Sequence, residues 1–216
     1  MGRALSVNEV LNQKKQTFPF EGKWAEAFGR PERTGVWFIW GCSGNGKSSF
    51  VMQLCKELCK YDRVAYDSLE EGDSLTMQQS LIRHGMSSVG RRFSLLNCES
   101  IDELKVRLHR RKSYNIVVVD SFQYTQMSYR DYIGLKEAFR DKLFIFISHA
   151  SGRMPSGKAA VSVMYDASLK VWVEGYVAFS KGRFIGETGK YTIWDEGATR
   201  YWGEGSIRQE LGIRNS

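Results

Sequence analysis

Five short and almost wholly apolar runs, separated by stretches with helical periodicity, restrict the fold of this sequence more than any other feature. The runs cover residues 36–40, 63–66, 93–97, 115–120 and 143–148. Strands that are apolar on both faces are typical of a parallel sheet with helices packed on both sides. The helical stretches are predicted to begin near Lys47, Leu75, Ser100 and Asp131. The alternation therefore predicts an α/β fold with a mainly parallel sheet.

The pattern changes after residue 160, where three strand-like runs follow one another with only turn-length gaps. These runs are 169–174, 176–184 and 190–194. Strands joined by short turns pair antiparallel, so we expect an antiparallel C-terminal extension of the same sheet. The chain then divides into an N-terminal lead segment (1–33), a core (34–204) and a C-terminal tail (205–216). The lead segment has helix potential around 7–15, followed by a turn-rich stretch.

The composition sets the class of protein but not its activity. A length of 216 residues predicts a single domain. No apolar run is long enough to span a bilayer, and the N-terminus lacks the apolar stretch of a signal peptide. The four cysteines form no CxxC pair, which is typical of free thiols in a reducing compartment. We therefore expect a cytoplasmic protein that does not act on membranes.

A phosphate-binding motif follows the first apolar run directly and precedes a predicted helix. The sequence GCSGNGKS matches the pattern GxxxxGK[ST] in full. The glycines let backbone N–H groups turn toward phosphate oxygens, and the helix N-terminus adds a partial positive charge. Lys47 is expected to reach the β- and γ-phosphates, and Ser48 to bind Mg²⁺. The predicted nucleotide-binding residues are Gly41, Cys42, Ser43, Gly44, Asn45, Gly46, Lys47, Ser48 and Ser49.

Two carboxylates complete the predicted triphosphate site. Asp120 closes the apolar run 115–120, where a buried carboxylate needs a charged partner, and the Mg²⁺ held by Ser48 is the obvious one. The alternative is an Asp that caps the next helix. Glu70 or Glu71 follows the run 63–66 and has the chemistry to polarise an attacking water, although a solvated acidic turn has the same spacing.

With these motifs, the sequence resembles the ATPase core of the RecA superfamily between about Trp24 and Trp194. GCSGNGKSS is similar to the phosphate loop of that family and NIVVVDS to its second Walker motif. YDSLEE is similar to the Ser-x-Glu element, which implies Glu70 as the catalytic glutamate, with Glu71 next in line. LFIFISHASG resembles the strand that ends in a γ-phosphate sensor, which implies His149. The segment after it, 151–160, corresponds to a mobile loop that touches single-stranded DNA in many members.

A basic stretch near the C-terminus adds to the resemblance. Phe179–Phe184 reads FSKGRF and is similar to the KNRFG motif of RadA-type proteins and to the Lys-x-Arg hairpin of DnaB-type helicases. The resemblance implies that Lys181 and Arg183 reach the nucleotide of a neighbouring subunit. Gly182 and Ile185 depart from that motif, and an ordinary basic strand edge is the alternative. A core of this length is most similar to compact proteins encoded by phages and mobile elements.

The charge distribution favours a nucleic-acid partner. Residues 101–160 carry eleven Lys and Arg against six Asp and Glu, most of the net charge of +7. Predicted contacts with single-stranded DNA are Arg153, Lys158, Tyr124, Tyr129 and Arg130, because aromatic rings stack on bases and cations track phosphates.

The leading functional hypothesis is an ATP- and Mg²⁺-dependent motor or recombinase that assembles head to tail with itself in a ring or a filament. The alternative hypothesis is a nucleotide-gated assembly or binding module with slow, incidental turnover. A small-molecule kinase is disfavoured, because it leaves the Lys181/Arg183 stretch and the Ser-x-Glu element unexplained.

Overall fold

A computed structural model describes the backbone of residues 3–210 and the side chains of residues 3–203. The last six residues of the predicted tail lie outside the described residues. Within residues 3–210, no helix combines the length and the apolar character that crossing a membrane requires.

One mixed sheet forms the centre of the molecule. Its order is β3-β2-β4-β5-β1-β7-β8-β9, and β6 forms a hairpin with β5. The strands are β1 Gly35–Gly41, β2 Val64–Ser68, β3 Phe93–Asn97, β4 Ile116–Asp120, β5 Leu143–Ser151, β6 Met154–Pro155, β7 Leu169–Glu174, β8 Val177–Ser180 and β9 Lys190–Thr192. The strands from β3 to β7 in this order are parallel, and β8 and β9 are antiparallel. Both the α/β class and the antiparallel extension are confirmed.

Eight α-helices surround this sheet in the described part of the chain. They are α1 Val7–Leu11, α2 Gly22–Phe28, α3 Lys47–Leu58, α4 Leu75–Arg83, α5 Ile101–Leu108, α6 Tyr129–Ala138, α7 Lys158–Asp166 and α8 Asp195–Glu210. The four helix starts predicted from the sequence agree with α3 to α6 within two residues. Helix α2 lies in the stretch that we expected to be turn-rich. Helix α7 begins inside the expected loop, because Ala160, Val163 and Met164 form an apolar face that packs on the sheet.

The sheet separates two apolar cores, and alternate residues of each strand supply them. In β1, Trp37 and Ile39 point into one core, and Phe38 and Trp40 point into the other. Helices α2, α3 and α4 cover the first core, while α5, α6, α7 and α8 cover the second. Burial on both faces explains why these strands are almost entirely apolar.

Part of the predicted lead segment belongs to the first core. Phe18 is fully buried, and its ring lies 5.5 Å from the ring of Trp37 and 5.6 Å from that of Tyr61. Trp24 of α2 stacks on Tyr191 of β9 at 4.2 Å. Helix α1, in contrast, has no buried residue. The aromatic residues from Phe18 onward therefore fasten the beginning of the chain to the sheet.

This packing predicts a large difference between two apolar truncations in the lead segment. Phe18→Ala removes a fully buried ring and should lower the free energy of unfolding by about 3–5 kcal/mol. Leu11→Ala, at a side chain that is 75% exposed, should change it by less than about 0.5 kcal/mol. Urea unfolding of both variants measures the difference. Equal stabilities would show that residues 18–20 are not part of the core.

Candidate functional site

The predicted site residues meet at one edge of the sheet, where the parallel strands end. The register pairs Gly41 at the end of β1 with His149 on β5, and Ser68 at the end of β2 with Asp120 at the end of β4. Loops that follow neighbouring parallel strands emerge at the same edge, so residues from four separate segments become neighbours.

The loop Gly41–Ser49 leaves β1 and enters α3 through two glycines with positive φ. Gly44 has φ +79° and Gly46 has φ +90°, which are conformations that L-residues rarely adopt. A Cβ at Gly46 would also lie 2.9 Å from the ring of Tyr176. Lys47 begins α3, and Ser48 and Ser49 lie in its first turn, beside the N–H groups that the helix leaves unpaired. This is the geometry that phosphate binding requires.

The turn between β7 and β8 holds this loop in place. Gly175 and Tyr176 form the turn, both with positive φ, as in a type I′ hairpin turn. The Gly175 N–H donates to the side-chain oxygen of Asn45 at 2.8 Å, and the Tyr176 N–H donates to the Asn45 carbonyl at 3.0 Å. On the preceding strand, a Cβ at Gly41 would overlap the carbonyl oxygen of Val173. The motif residues Gly41, Asn45 and Gly46 therefore also shape the contact with the antiparallel extension.

Asp120 has a hydrogen-bond partner that the sequence did not predict. The Tyr66 hydroxyl, on the neighbouring strand β2, donates to Asp120 Oδ2. Burial raises the pKa of Asp120, while the Tyr66 hydrogen bond and the positive charge of Lys47 oppose that rise. Tyr66 therefore stabilises the ionised carboxylate, which the sequence had assigned to Mg²⁺ alone.

The three carboxylates near the end of β2 point in different directions. Glu70 faces the phosphate loop side, where its Oε2 lies 3.1 Å from His149 Nε2. Glu71 accepts a hydrogen bond from Thr76 of α4 at 2.9 Å. Asp67 is fully buried on the side of β3 and accepts the Glu99 N–H at 3.0 Å. The geometry therefore favours Glu70 over Glu71 as the group that faces a bound phosphate.

Gln123, which follows β4, fixes the end of β5 and has no counterpart in the sequence prediction. Its side-chain oxygen accepts the His149 N–H at 3.2 Å, and its Nε2 donates to Ser148 Oγ at 2.7 Å. The same Nε2 donates to the Ser156 carbonyl at 2.9 Å. One amide thereby holds His149 and the chain that follows it in a defined position.

The segment after β5 is a hairpin rather than a long loop. Ala150 pairs with Pro155 and Ser151 with Met154, and the tip rests on the start of the phosphate loop. Trp40 Nε1 donates to the Arg153 carbonyl at 3.0 Å. The Cys42 thiol donates to the Gly152 carbonyl at 3.8 Å. The hairpin tip thus contacts the residues on either side of Gly41.

Lys181 and Arg183 lie near the opposite edge of the sheet, just after β8 ends. The Lys181 N–H donates to Lys170 O, and the Arg183 N–H donates to Ser168 O. Ser168 precedes Val173, which adjoins Gly41, by five residues, or about 17 Å along a strand. Both cations are exposed, and Lys181 Nζ lies 5.7 Å from the centre of the Trp172 ring. They are too far away to reach the phosphate loop of their own chain.

No protein-family model matches this chain, and neither does the sequence of any curated protein. Solved structures do match. The ATPase domain of a DnaB-like helicase aligns with a TM-score of 0.50 and 14% identity over 73% of this chain and 78% of its own. The flagellar accessory protein FlaH from Methanocaldococcus jannaschii aligns with a TM-score of 0.57 and 13% identity over 78% of this chain and 88% of its own. This chain has the fold of a RecA-superfamily P-loop ATPase core. The resemblance seen in the sequence is confirmed at the level of fold.

Within this RecA-like fold, the partners of the site residues are what the sequence analysis missed. Tyr66 lies 54 positions from Asp120, and Gln123 lies 26 positions from His149. Neither residue belongs to a local pattern, because the register of separate strands decides both contacts. The match to the Ser-x-Glu element was the one local signal in this group, and it identified Glu70.

Asp67 makes the stability of this RecA-like core depend on pH. Burial raises its pKa to about 7, and its Oδ2 has no hydrogen-bond partner among the described residues. Unfolded Asp has a pKa of about 3.9, so between about pH 4 and 7 the folded state holds a proton that the unfolded state has released. This group therefore contributes stability at low pH that is lost as the pH rises toward 7.

Asp67→Asn should remove that dependence. The stability of the variant relative to the native chain should increase by about 3–4 kcal/mol between pH 4 and pH 7.5. Urea unfolding at both pH values measures this change, and Asp73→Asn, at an exposed carboxylate nearby, is the control for lost charge. Parallel pH profiles for the Asp67 variant and the native chain would contradict the prediction.

Proposed function

We propose that this protein binds ATP with Mg²⁺ and hydrolyses it, and that it works as a head-to-tail oligomer on single-stranded DNA. The observation that carries the proposal is the pairing of Glu70 with His149 at 3.1 Å, at the edge where the phosphate loop leaves β1. A half-exposed carboxylate beside an imidazole is suited to activating water next to a terminal phosphate. The match to a domain described as an ATPase supports the same reaction.

In the proposed reaction, Glu70 accepts a proton from the attacking water. The water oxygen forms a bond to the γ-phosphorus, and the bond from that phosphorus to the β–γ bridging oxygen breaks, which releases ADP and phosphate. Lys47 and the first N–H groups of α3 stabilise the charge on the phosphate oxygens. His149 holds the Glu70 carboxylate toward the loop and is positioned in turn by Gln123.

Ser48 and Asp120 are the residues proposed to hold Mg²⁺. The described residues contain no cluster of three or more His, Cys, Asp or Glu able to hold a metal ion by themselves. This composition fits Mg²⁺, which is usually bound through one or two protein ligands together with phosphate oxygens and water. When bound, the ion neutralises charge on the β- and γ-phosphates. The hydrogen bond from Tyr66 leaves the second oxygen of Asp120 for this contact.

Head-to-tail assembly follows from where the two basic residues lie. Lys181 and Arg183 are too distant from the phosphate loop of their own chain, but they are exposed near the opposite edge of the sheet. A second copy stacked with the same orientation brings its phosphate loop toward them. A cation supplied by a neighbour in this way stabilises the transition state of phosphoryl transfer.

The proposed DNA contacts lie at the edge of the sheet that carries the phosphate loop or beside it. Tyr124 and Tyr129 are exposed after β4, and Lys158 begins α7. Arg153, at the hairpin tip, lies 5.5 Å from the centre of the Trp172 ring. Because the hairpin tip rests on Trp40 and Cys42, a nucleotide-dependent shift of the loop changes the contact between hairpin and strand.

The roles of the two adjacent glutamates give a direct test. Glu70→Gln should leave ATP binding intact and lower the rate of hydrolysis by about 10²–10⁴-fold, because the base is lost. Glu71→Gln, whose native carboxylate faces Thr76, should stay within about threefold of the native rate. Steady-state phosphate release, measured with and without single-stranded DNA, gives both rates. In the native chain the rate should rise with DNA and with protein concentration.

A nucleotide-gated binding module gives different results in the same experiment. Its turnover is slow and indifferent to DNA, and Glu70→Gln keeps its function. A native rate that does not respond to DNA or to protein concentration would therefore refute the motor hypothesis.

A mixing experiment tests whether the site is shared between copies. Lys47→Ala removes a phosphate contact, and Arg183→Ala removes the proposed contribution from the neighbour, so each variant alone should be inactive. Mixed assemblies should regain activity, because some interfaces join an intact Lys47 to an intact Arg183. An Arg183→Ala variant with native activity, or a mixture without any recovery, would contradict a shared site.

A further inference from the structure

Trp194 is a large aromatic side chain that remains 44% exposed beside the phosphate loop. Its ring lies 5.1 Å from the ring of Tyr176, in an edge-to-face arrangement. Tyr176 in turn packs against Gly46, the residue that precedes Lys47. The indole is therefore one aromatic ring away from the start of α3, while most other tryptophans in the described residues are buried or half-buried in the core.

Several contacts fix Trp194 relative to the phosphate loop. The N–H of Ile193 donates to the Tyr176 carbonyl at 2.8 Å. The Ile193 carbonyl accepts from Gln53 Nε2 of α3 at 3.2 Å, and Gln53 accepts from the Tyr191 hydroxyl at 2.9 Å. Gly197 lies so close to the indole that a Cβ there would overlap the ring. The side chain is thus supported from behind and tied to the helix that begins at Lys47.

The order of the strands defines which part of a nucleotide faces Trp194. The residues proposed to act on the γ-phosphate are Glu70, Asp120 and His149, and all of them belong to strands or loops on the β5 side of β1. Trp194 follows β9, on the β7 side of β1. A triphosphate chain laid along the loop with its γ-phosphate toward Glu70 therefore directs the nucleoside toward Trp194.

We propose that the exposed indole of Trp194 is the platform on which the base of the bound nucleoside triphosphate stacks. The inference rests on the proposed function and extends it to the base. The Arg200 guanidinium, 6.0 Å from the centre of the Trp194 ring, is an exposed cation positioned to approach the outer face of that base. Every base has a π-face, so this platform accepts ATP and GTP alike and holds purines better than the smaller pyrimidines.

The experiment compares a ligand that has a base with one that has none. The affinities of ATP and of inorganic tripolyphosphate, both with Mg²⁺, are measured by calorimetry for the native chain, Trp194→Ala and the matched control Trp194→Phe. Trp194→Ala should bind ATP about tenfold more weakly, while its affinity for tripolyphosphate stays unchanged. Trp194→Phe keeps an aromatic face and should stay within about threefold of the native affinity for ATP.

The outcomes separate this inference from the proposed function. If Trp194→Ala binds ATP as the native chain does, the stacking platform is refuted and nucleotide binding stands. If the variant loses ATP and tripolyphosphate equally, Trp194 supports the loop structurally and the inference is also refuted. A native chain that binds neither ligand overturns the proposed function, and the platform with it.

Discussion

The close approach of β7 to β1 at Gly41 is the contact on which the rest of the site depends. Without a side chain at Gly41, the Val173 carbonyl comes close to the backbone at the point where β1 becomes the phosphate loop. That approach brings the turn at Gly175 and Tyr176 onto Asn45, so that the loop is held by the antiparallel part of the sheet. On the other side of β1, the pairing of Gly41 with His149 brings the end of β5 to the same level. The central strand thus sets the position of every group that faces a phosphate.

The sequence was informative where a residue's role depends on its immediate neighbours. The apolar runs predicted the parallel strands closely, because a strand buried on both faces must be apolar along its length. The GxxxxGK[ST] pattern located the loop, since its conformation needs glycines at particular positions. The apolar face of α7 and the hydrogen bonds of Tyr66 and Gln123 were not predicted. These features depend on which strands become neighbours and in which register, and that information is distributed over the whole chain.

Two short connections join the phosphate loop to the hairpin after β5. Trp40 and Cys42 contact the hairpin tip directly. Gln123 contacts both His149 and Ser156, and so connects the end of β5 to the chain that leads into α7. The candidate nucleotide site and the candidate DNA-facing segment are therefore packed against each other. A change at one is felt at the other through contacts between immediate neighbours, without a rearrangement of the core.

The turn at Gly175 and Tyr176 also has a consequence for the thermodynamics of ligand capture. A glycine-rich loop that is free in the absence of ligand loses conformational entropy on binding, and this loss weakens affinity. Here Asn45 is bonded through both its side chain and its carbonyl, and Gly46 packs against an aromatic ring. Most of that entropy is lost when the chain folds. The loop is preorganised, so the binding energy of the phosphates goes into affinity rather than into ordering the backbone.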